Sequence, residues 1–484
     1  MSKIILSTIN AKYIHSAFGL RSLWCNLGEY QNSAKIIEFN INQQVSQITE
    51  ELLESQPEIL CLSAYIWNIE ELSALIYNIK QIAPHITIII GGPEASYEYE
   101  NSTWFPHIDH VICGEGEIEL PKLIHAIING CAADKVINAK VINDLTKISM
   151  PYTAYSDEDI ANRIVYVESS RGCPFKCEFC ISSLDNKVRF FDVEKFLAEM
   201  LTLANKEVKH FKFIDRTFNI GNKRALKILD FFLDNWREGM QLHFEIVPDK
   251  LNFELIEKMK KFPLHGLHLE IGIQSYNLKT QELISRRQDF ELTKSNLISL
   301  LSETGALVHT DLVIGLPAET YHSFSLGFNQ LISARPQEIQ IGFLKRLKGT
   351  PIIRHTDDYE LIFEQNSPFE VLQTKDISFS EMRKLKKFSR YFDLFYNSGN
   401  FPKSMELLWQ LDDDYFQTFM KLTEFTWAAT GQTHKISLKN LMKIFYDFVL
   451  SINKVSHQVL FETLSSDFYR IPGRKEKLEN IIKY

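Results

Sequence analysis

Three cysteines within eight residues, Cys173, Cys177 and Cys180, are the densest concentration of reactive side chains in this 484-residue sequence. Thiolates are soft ligands that suit zinc and iron–sulfur centres. A structural zinc takes four protein ligands, often as two C-x2-C pairs, and a cubane iron–sulfur cluster normally takes four cysteines. Here three cysteines stand in a C-x3-C-x2-C arrangement with no fourth Cys or His close by. Three thiolates on a [4Fe–4S] cluster leave one iron open to a small molecule; a zinc site with a distant fourth ligand is the bland alternative.

A second set of candidates lies at the ends of apolar runs. Strand-like stretches at Lys3–Ser7, Ala34–Phe39, Ile59–Tyr65, Thr87–Ile90 and His110–Cys113 are separated by helical patterns. One of these is Glu70–Ile82, where Leu72, Leu75, Ile76 and Ile79 recur at helical spacing. Continuous apolar strands alternating with helices predict a parallel sheet covered on both faces. Five strands in this order fit an α/β, doubly wound, flavodoxin-like unit that binds its ligand beyond the strand carboxyl ends, at the switch point between the first and third. The loops there contain Ser63 and Tyr65, then Gly91-Gly92, then Gly114, and these five residues are the expected ligand contacts. Glycines let backbone approach a bulky ligand closely. No G-x-G-x-x-G fingerprint is present, which argues against a nicotinamide dinucleotide.

The cysteines sit in a second series of strands: Ile164–Glu168, His210–Ile214, Leu242–Val247, Leu267–Gly272, Leu307–Ile314 and Glu338–Phe343. Six βα repeats predict a (β/α)6 partial barrel with its chemistry at the strand carboxyl ends. Between the first two strands, Phe196, Leu197, Met200 and Leu201 form an apolar stripe, with Asp192 placed to cap the helix. The remaining cysteines are scattered, and Cys25, Cys61 and Cys113 read as core packing because they fall inside a helix and two apolar strands. Beyond about residue 375, Glu381–Tyr396, Met405–Leu411 and Asn440–Asn453 are helical and aromatic-rich. The expected division is 1–137 for the first unit, 138–162 for a linker, 163–375 for the barrel and 376–484 for a helical domain.

Composition sets outer bounds. Hydrophobic residues make up 45% and charged residues 24%, which fits a folded protein rather than a disordered one. A net charge of −8 argues against a protein that coats nucleic acid. No run approaches the length needed to cross a bilayer, and the short Ile4-Ile5-Leu6 run reads as a strand rather than a signal-peptide core. The expected compartment is therefore the cytoplasm, where thiols stay reduced.

The cysteine spacing, with Phe179 just before the last Cys, resembles the radical S-adenosylmethionine (SAM) superfamily. The resemblance continues through Phe213–Asn219 at the second strand end, Phe244-Glu245-Ile246 at the third, Glu270–Ser275 and Ile284-Ser285-Arg286 at the fourth, Asp311–Glu319 at the fifth and Lys348–Pro351 after the sixth. With the doubly wound unit in front, the match is to radical SAM enzymes carrying an N-terminal cobalamin-binding domain. The C-terminal helices resemble a domain of unknown function found in one branch.

That resemblance implies three cofactors: a [4Fe–4S] cluster on Cys173, Cys177 and Cys180, SAM and cobalamin. It implies that the open iron chelates SAM and that the reduced cluster cleaves it to a 5′-deoxyadenosyl radical. Carried over by motif, Glu245 and Arg286 meet the methionine amino and carboxylate groups, a charge match that suits a zwitterion. Gln274 and Asp311 hold the ribose, and Asp215 stands where relatives place a contact to the amine. The cobalt-ligating Asp-x-His-x-x-Gly motif is missing; His15 is the nearest histidine. The implied activity is methyl transfer to an unactivated carbon. Rearrangement or ring contraction, methylthiotransfer, and a non-enzymatic cobalamin sensor are the alternatives. The implied partners are a small-molecule or peptide substrate and an electron donor such as flavodoxin or ferredoxin, with no membrane.

Overall fold

The computed structural model describes residues 3–472, 474 and 477–482. Two six-stranded, wholly parallel sheets dominate it. The first contains β1 (Ile4–Asn10), β2 (Ala34–Asn40), β3 (Ile59–Ser63), β4 (Thr87–Gly91), β5 (His110–Cys113) and β6 (Val136–Asn138), in the order β2-β1-β3-β4-β5-β6. Every residue of β1 and β3 is buried, as the continuous apolar runs require of strands packed on both faces. Two separate apolar clusters cover the sheet. Leu60, Leu62 and Val111 face one, and Leu6, Cys61 and Ile112 the other. Beyond the five strands expected, β6 is a short, half-buried edge strand.

The second sheet contains β7 (Val165–Val167), β8 (His210–Phe213), β9 (Gln241–Ile246), β10 (Leu267–Gln274), β11 (Leu307–Ile314) and β12 (Glu338–Phe343), laid out consecutively as an open barrel wall. Its strands alternate instead of being uniformly apolar. On β10, Leu267, Leu269, Ile271 and Ile273 are buried while His268, Glu270, Gly272 and Gln274 are partly accessible. Leu, Ile and Phe face the outer helices, and polar residues face the lumen. Asp192 caps the helix Val193–Asn205 by accepting from the Lys195 amide. Phe196, Leu197 and Met200 are buried as expected, but Leu201 is 40% exposed. Leu203 and Ala204 complete the stripe instead, because steps of three and four from Met200 stay on one face and a step of one does not.

Residues 138–162 read as a linker, yet they form a packed strap. Tyr152 and Tyr155 are buried in the barrel core. The Tyr155 hydroxyl donates to Tyr166 O at 2.8 Å and accepts from Tyr166 N at 3.0 Å. Tyr152 does the same with Glu168 O and N at 3.2 and 3.1 Å. The free edge of β7 is thereby satisfied by side chains in place of another strand. Ser156 and Asp159 form a capping box that starts the helix Asp157–Asn162.

The C-terminal part is helical: Phe379–Phe392, Pro402–Trp409, Tyr415–Thr430, Leu438–Ser451 and His457–Tyr469. The second and last of these lie beside each other, with Asp467 accepting from Lys403 N, Ser404 N and Ser404 Oγ. Phe388, Phe392, Phe416 and Phe419 interlock with Phe328 of a barrel helix, so this region shares one apolar core with the barrel. None of the helices among the described residues is long and apolar enough to cross a membrane.

Candidate active site

The cysteine loop leaves β7 through Ser169–Gly172. Ser170–Arg171 pairs antiparallel with Arg189–Phe190 and closes the loop at its base. Gly172 has φ +83°, and a Cβ there would lie 2.4 Å from Lys187 O, so no other residue fits this corner. At the loop's centre the buried Glu178 is held from several sides. Its backbone donates to Ile284 O and accepts from Ile352 N, both at 3.0 Å. Its carboxylate accepts from Ser285 Oγ at 2.7 Å, pairs with His355 Nε2 at 2.9 Å and takes a further bond from Arg354. These ties fix the geometry of the cysteines on either side.

All three thiols line one cavity of about 260 Å³ at the barrel mouth. Glu245 from β9, Gln274 from β10, Asp311 from β11 and Arg286 from the loop after β10 line it too. The sequence-derived set is thus drawn from three strands into one place, with the cysteine loop across from it. Arg286 Nη1 lies 3.4 Å from Cys177 Sγ, and its Nη2 donates to Gly272 O. A Cβ on Gly272 would meet Gln274 Nε2 at 2.5 Å and Arg286 Nη2 at 3.2 Å, so this glycine keeps the floor clear for both. Gln274 itself has φ +72° beside a register shift in the β10–β11 ladder, a conformation tolerated only where the surroundings fix it. Three thiolates converging on one cavity, with carboxylate and guanidinium groups facing them, fit a [4Fe–4S] cluster with an open iron and a zwitterionic ligand. Burial raises the Cys173 thiol above its ordinary range, and a metal would reverse that by stabilising the thiolate. Burial also raises the Glu245 carboxyl, against the opposing charge of Arg216, whose Nη1 is 3.4 Å away.

Asp215 is not brought to this cavity. It is 1% exposed, and its carboxylate accepts from Ser169 N, Ser169 Oγ and Ser170 Oγ at 2.9, 2.6 and 2.6 Å. The next two residues, Arg216 and Thr217, line the cavity instead. Asp215 holds the entry to the cysteine loop from behind.

A second, wider cavity of about 750 Å³ lies between the carboxyl ends of the first sheet and the barrel mouth. Ser63, Tyr65, Gly91, Gly92 and Gly114 all line it. Tyr65 and Trp67 stack with ring centroids 4.4 Å apart, giving a flat aromatic wall. Gly92 serves the turn as much as any ligand: its φ is +102°, and a Cβ would lie 2.5 Å from Ala64 O. Asn68 does not face the cavity; it is wholly buried, and its amide donates to Ile9 O at 3.0 Å and Ser63 O at 3.2 Å. His15 lines the cavity with its Nδ1 2.7 Å from the Tyr166 hydroxyl, and burial, then Lys212 and Lys12, lowers its pKa. A roomy, mostly apolar space bounded by an aromatic wall and glycine turns fits a large flat cofactor such as a corrin. The two cavities share Ser182 and Arg216 in their walls.

Buried charge joins the two sheets. Arg171 pairs with Glu117 at 2.6 Å and Glu168 at 3.0 Å, while Ser22 donates to Glu117 at 2.8 Å. Burial opposes ionisation of Glu117, but Arg171 holds it below the usual carboxylate range. Burial dominates at Glu168 and lifts it to about 7. Farther along, Arg21 pairs with Asp159 at 2.7 Å and with Glu38, which also binds Arg163.

One group escaped the sequence reading. Below the cysteine cavity, His243 and His268 stack with centroids 4.2 Å apart, His309 lies close by, and Lys212 pairs with Glu270 at 3.1 Å. Burial, then His243 and His309, lowers His268 to about 3. Burial works against Glu270, yet His243 and Lys212 hold it below the usual range. The available signal was alternation: His243, His268 and His309 occupy lumen-facing positions on three successive strands.

Comparison with known proteins gives three successive family matches: a B12 binding domain over residues 5–124, the radical SAM superfamily over 167–325, and a protein of unknown function family, DUF4080, over 357–483. An uncharacterized methyltransferase of Pyrococcus horikoshii is 26% identical over 303 residues, covering 57% of this chain and 64% of the relative. The cobalamin-dependent radical SAM methyltransferase TokK of Streptomyces tokunonensis is 24% identical over 329 residues, covering 61% of this chain and 48% of that protein. The chain thus spans about half to two thirds of the length of these relatives. Among solved structures, the radical SAM methyltransferase TsrM of Kitasatospora setae, with cobalamin and a [4Fe–4S] cluster bound, matches at a TM-score of 0.60 and 14% identity, covering 76% of each chain.

Proposed function

We propose that this chain, whose successive segments match a B12 binding domain, the radical SAM superfamily and DUF4080, is a methyltransferase acting on an unactivated carbon. When bound, the [4Fe–4S] cluster and SAM supply a 5′-deoxyadenosyl radical, and cobalamin supplies a transferable methyl group. The observation that carries this reading is the shared wall: Ser182 and Arg216 border both cavities. A radical formed on one side and a methyl donor on the other can then address one substrate.

In this reading Cys173, Cys177 and Cys180 ligate the cluster. Arg286 binds the methionine carboxylate through its guanidinium fork, and Glu245 accepts from the ammonium. Gln274 and Asp311 hold the ribose. Ser63, Tyr65, Gly91, Gly92 and Gly114 contact cobalamin, with the Tyr65–Trp67 stack against the ring. Asp215 positions Ser169 and Ser170 at the start of the loop. A flavodoxin or ferredoxin delivers the electron.

Methylthiotransfer would need a second cluster on cysteines of the first unit. Cys61 and Cys113 belong to apolar clusters on opposite faces of the sheet, so one cluster cannot collect both. Anaerobic reconstitution followed by metal analysis tests the reading. About four irons and one cobalt per chain, with 5′-deoxyadenosine released on reduction, support it; iron for two clusters and no cobalt overturn it.

A further inference from the structure

The lumen beneath the cysteine cavity contains a metal-ligand set that neither SAM nor cobalamin explains. We propose that His268, His309 and Glu338 bind a divalent transition-metal ion of the zinc class at the base of the barrel lumen. One ligand atom from each side chain lies within 4.8 Å of the other two. A tetrahedral zinc with bonds of about 2.1 Å sets its ligands about 3.4 Å apart, so side-chain rotations of about 1 Å complete the site.

The sheet itself builds this triangle. Glu270, His309 and Glu338 stand opposite one another on adjacent strands β10, β11 and β12, and His268 lies two residues before Glu270 on the same face. Two imidazoles and one carboxylate are a recurrent donor set for zinc and for ferrous iron, with coordination positions left open. The outer support is present as well. Asp311 lies 3.2 Å from His309 Nε2, off hydrogen-bond geometry but within a small ring rotation of it, and Nδ1, 3.9 Å from Glu338, is the nitrogen that would face the ion. A carboxylate behind a ligating imidazole fixes its tautomer and orientation.

Charge and access agree. Lys212 pairs with Glu270, whereas the ion pairs of Asp311 and Glu338 among the described residues are with His309, so a cation beside that imidazole would meet carboxylate charge. Glu338 lies on the edge strand β12, where its side chain is 43% exposed and Gln340 beside it is exposed, so an ion can enter from the open side of the barrel. The open positions would take an oxygen donor, a carboxylate or carbonyl, from a molecule in the lumen. This assignment stands independently of the cobalamin reading.

The test uses the full chain with its cluster already reconstituted, so that the cysteine thiolates are occupied. The protein is titrated with Zn²⁺ alone against a fluorescent chelator, and zinc and iron are measured after gel filtration. One zinc per chain is expected in the unaltered protein. Glu338→Gln should weaken it at least tenfold and His268→Gln should remove it, with iron content and cluster absorbance unchanged in both. Glu338→Gln is conservative and partly exposed, so it decides the matter if His268→Gln does not fold. No zinc uptake by the unaltered protein, or unchanged affinity in Glu338→Gln, overturns the proposal.

Discussion

The two parallel sheets solve the same problem in opposite ways. The first is covered on both faces, so its central strands are largely apolar, and the polar and glycine residues that line its cavity gather at the strand ends and in the loops from Asn10, Ser63, Gly91 and Cys113 onward. The second curls into an open barrel whose inner face needs no apolar cover. Alternate residues such as Glu245, Glu270 and Asp311 therefore sit on the strands themselves. A flat sheet places chemistry on backbone turns; a curled one places it on rigid rungs. The first arrangement suits a large ligand held by shape, and the second suits small groups held by direction.

If that contrast is right, damage to one side should leave the other intact. The largest effect is expected from the cysteines. Replacing Cys173, Cys177 or Cys180 with Ala should abolish the cluster's visible absorbance and SAM cleavage, while cobalamin uptake persists. Full iron content in any single variant would break the assignment. Next comes Gly92→Val, which forces a side chain onto Ala64 O at a positive φ. A cost of about 1–3 kcal/mol is expected from the backbone strain alone. Thermal unfolding should report a less stable first unit and weaker cobalamin binding, with the cluster spectrum unchanged.

A smaller effect is expected of Arg286→Ala. Losing a charged hydrogen bond to the SAM carboxylate should weaken SAM by about tenfold to a hundredfold while iron stays near normal, because the cysteines follow a different strand. Loss of folding instead would mark Arg286 as structural. The smallest effect concerns the thiols of the first sheet. Burial raises Cys61 to about 12 and Cys113 to about 11. A raised thiol pKa means the unreactive protonated form persists through neutral and mildly alkaline pH. At about pH 8.5, alkylation followed by peptide mapping should label the exposed Cys131 and spare Cys61 and Cys113 until the chain is unfolded.

The contrast also explains what the sequence disclosed. Runs such as Ile59–Ser63 and Leu307–Ile314 were legible because uninterrupted or alternating apolar residues have few other uses. The cysteine loop and the lining residues Glu245, Gln274, Arg286 and Asp311 were found by motif, and they converge on one cavity. Asp215 was misread because Asp215 and Arg216 are neighbours, and a shift of one residue at a strand end reverses the direction of the side chain. The strap was read as a linker because its Tyr152 and Tyr155 act through hydroxyl contacts to an edge strand, a long-range pairing with no local pattern. The histidine layer went unseen because its three members are 25 to 66 residues apart in the chain and meet only once the strands are in register.

The anchoring of Glu178 has a consequence for how the protein is made. The loop that carries the cysteines follows the first barrel strand, yet its central carboxylate is secured by His355, 177 residues later, after the last strand. At about 5–20 residues per second of synthesis, that interval is about 10–35 s. Throughout it the three thiols are outside the ribosome without the partners that give their loop its final shape. The loop can take its final shape only once His355 has emerged, so iron and sulfide delivered earlier would meet thiols not yet held in place.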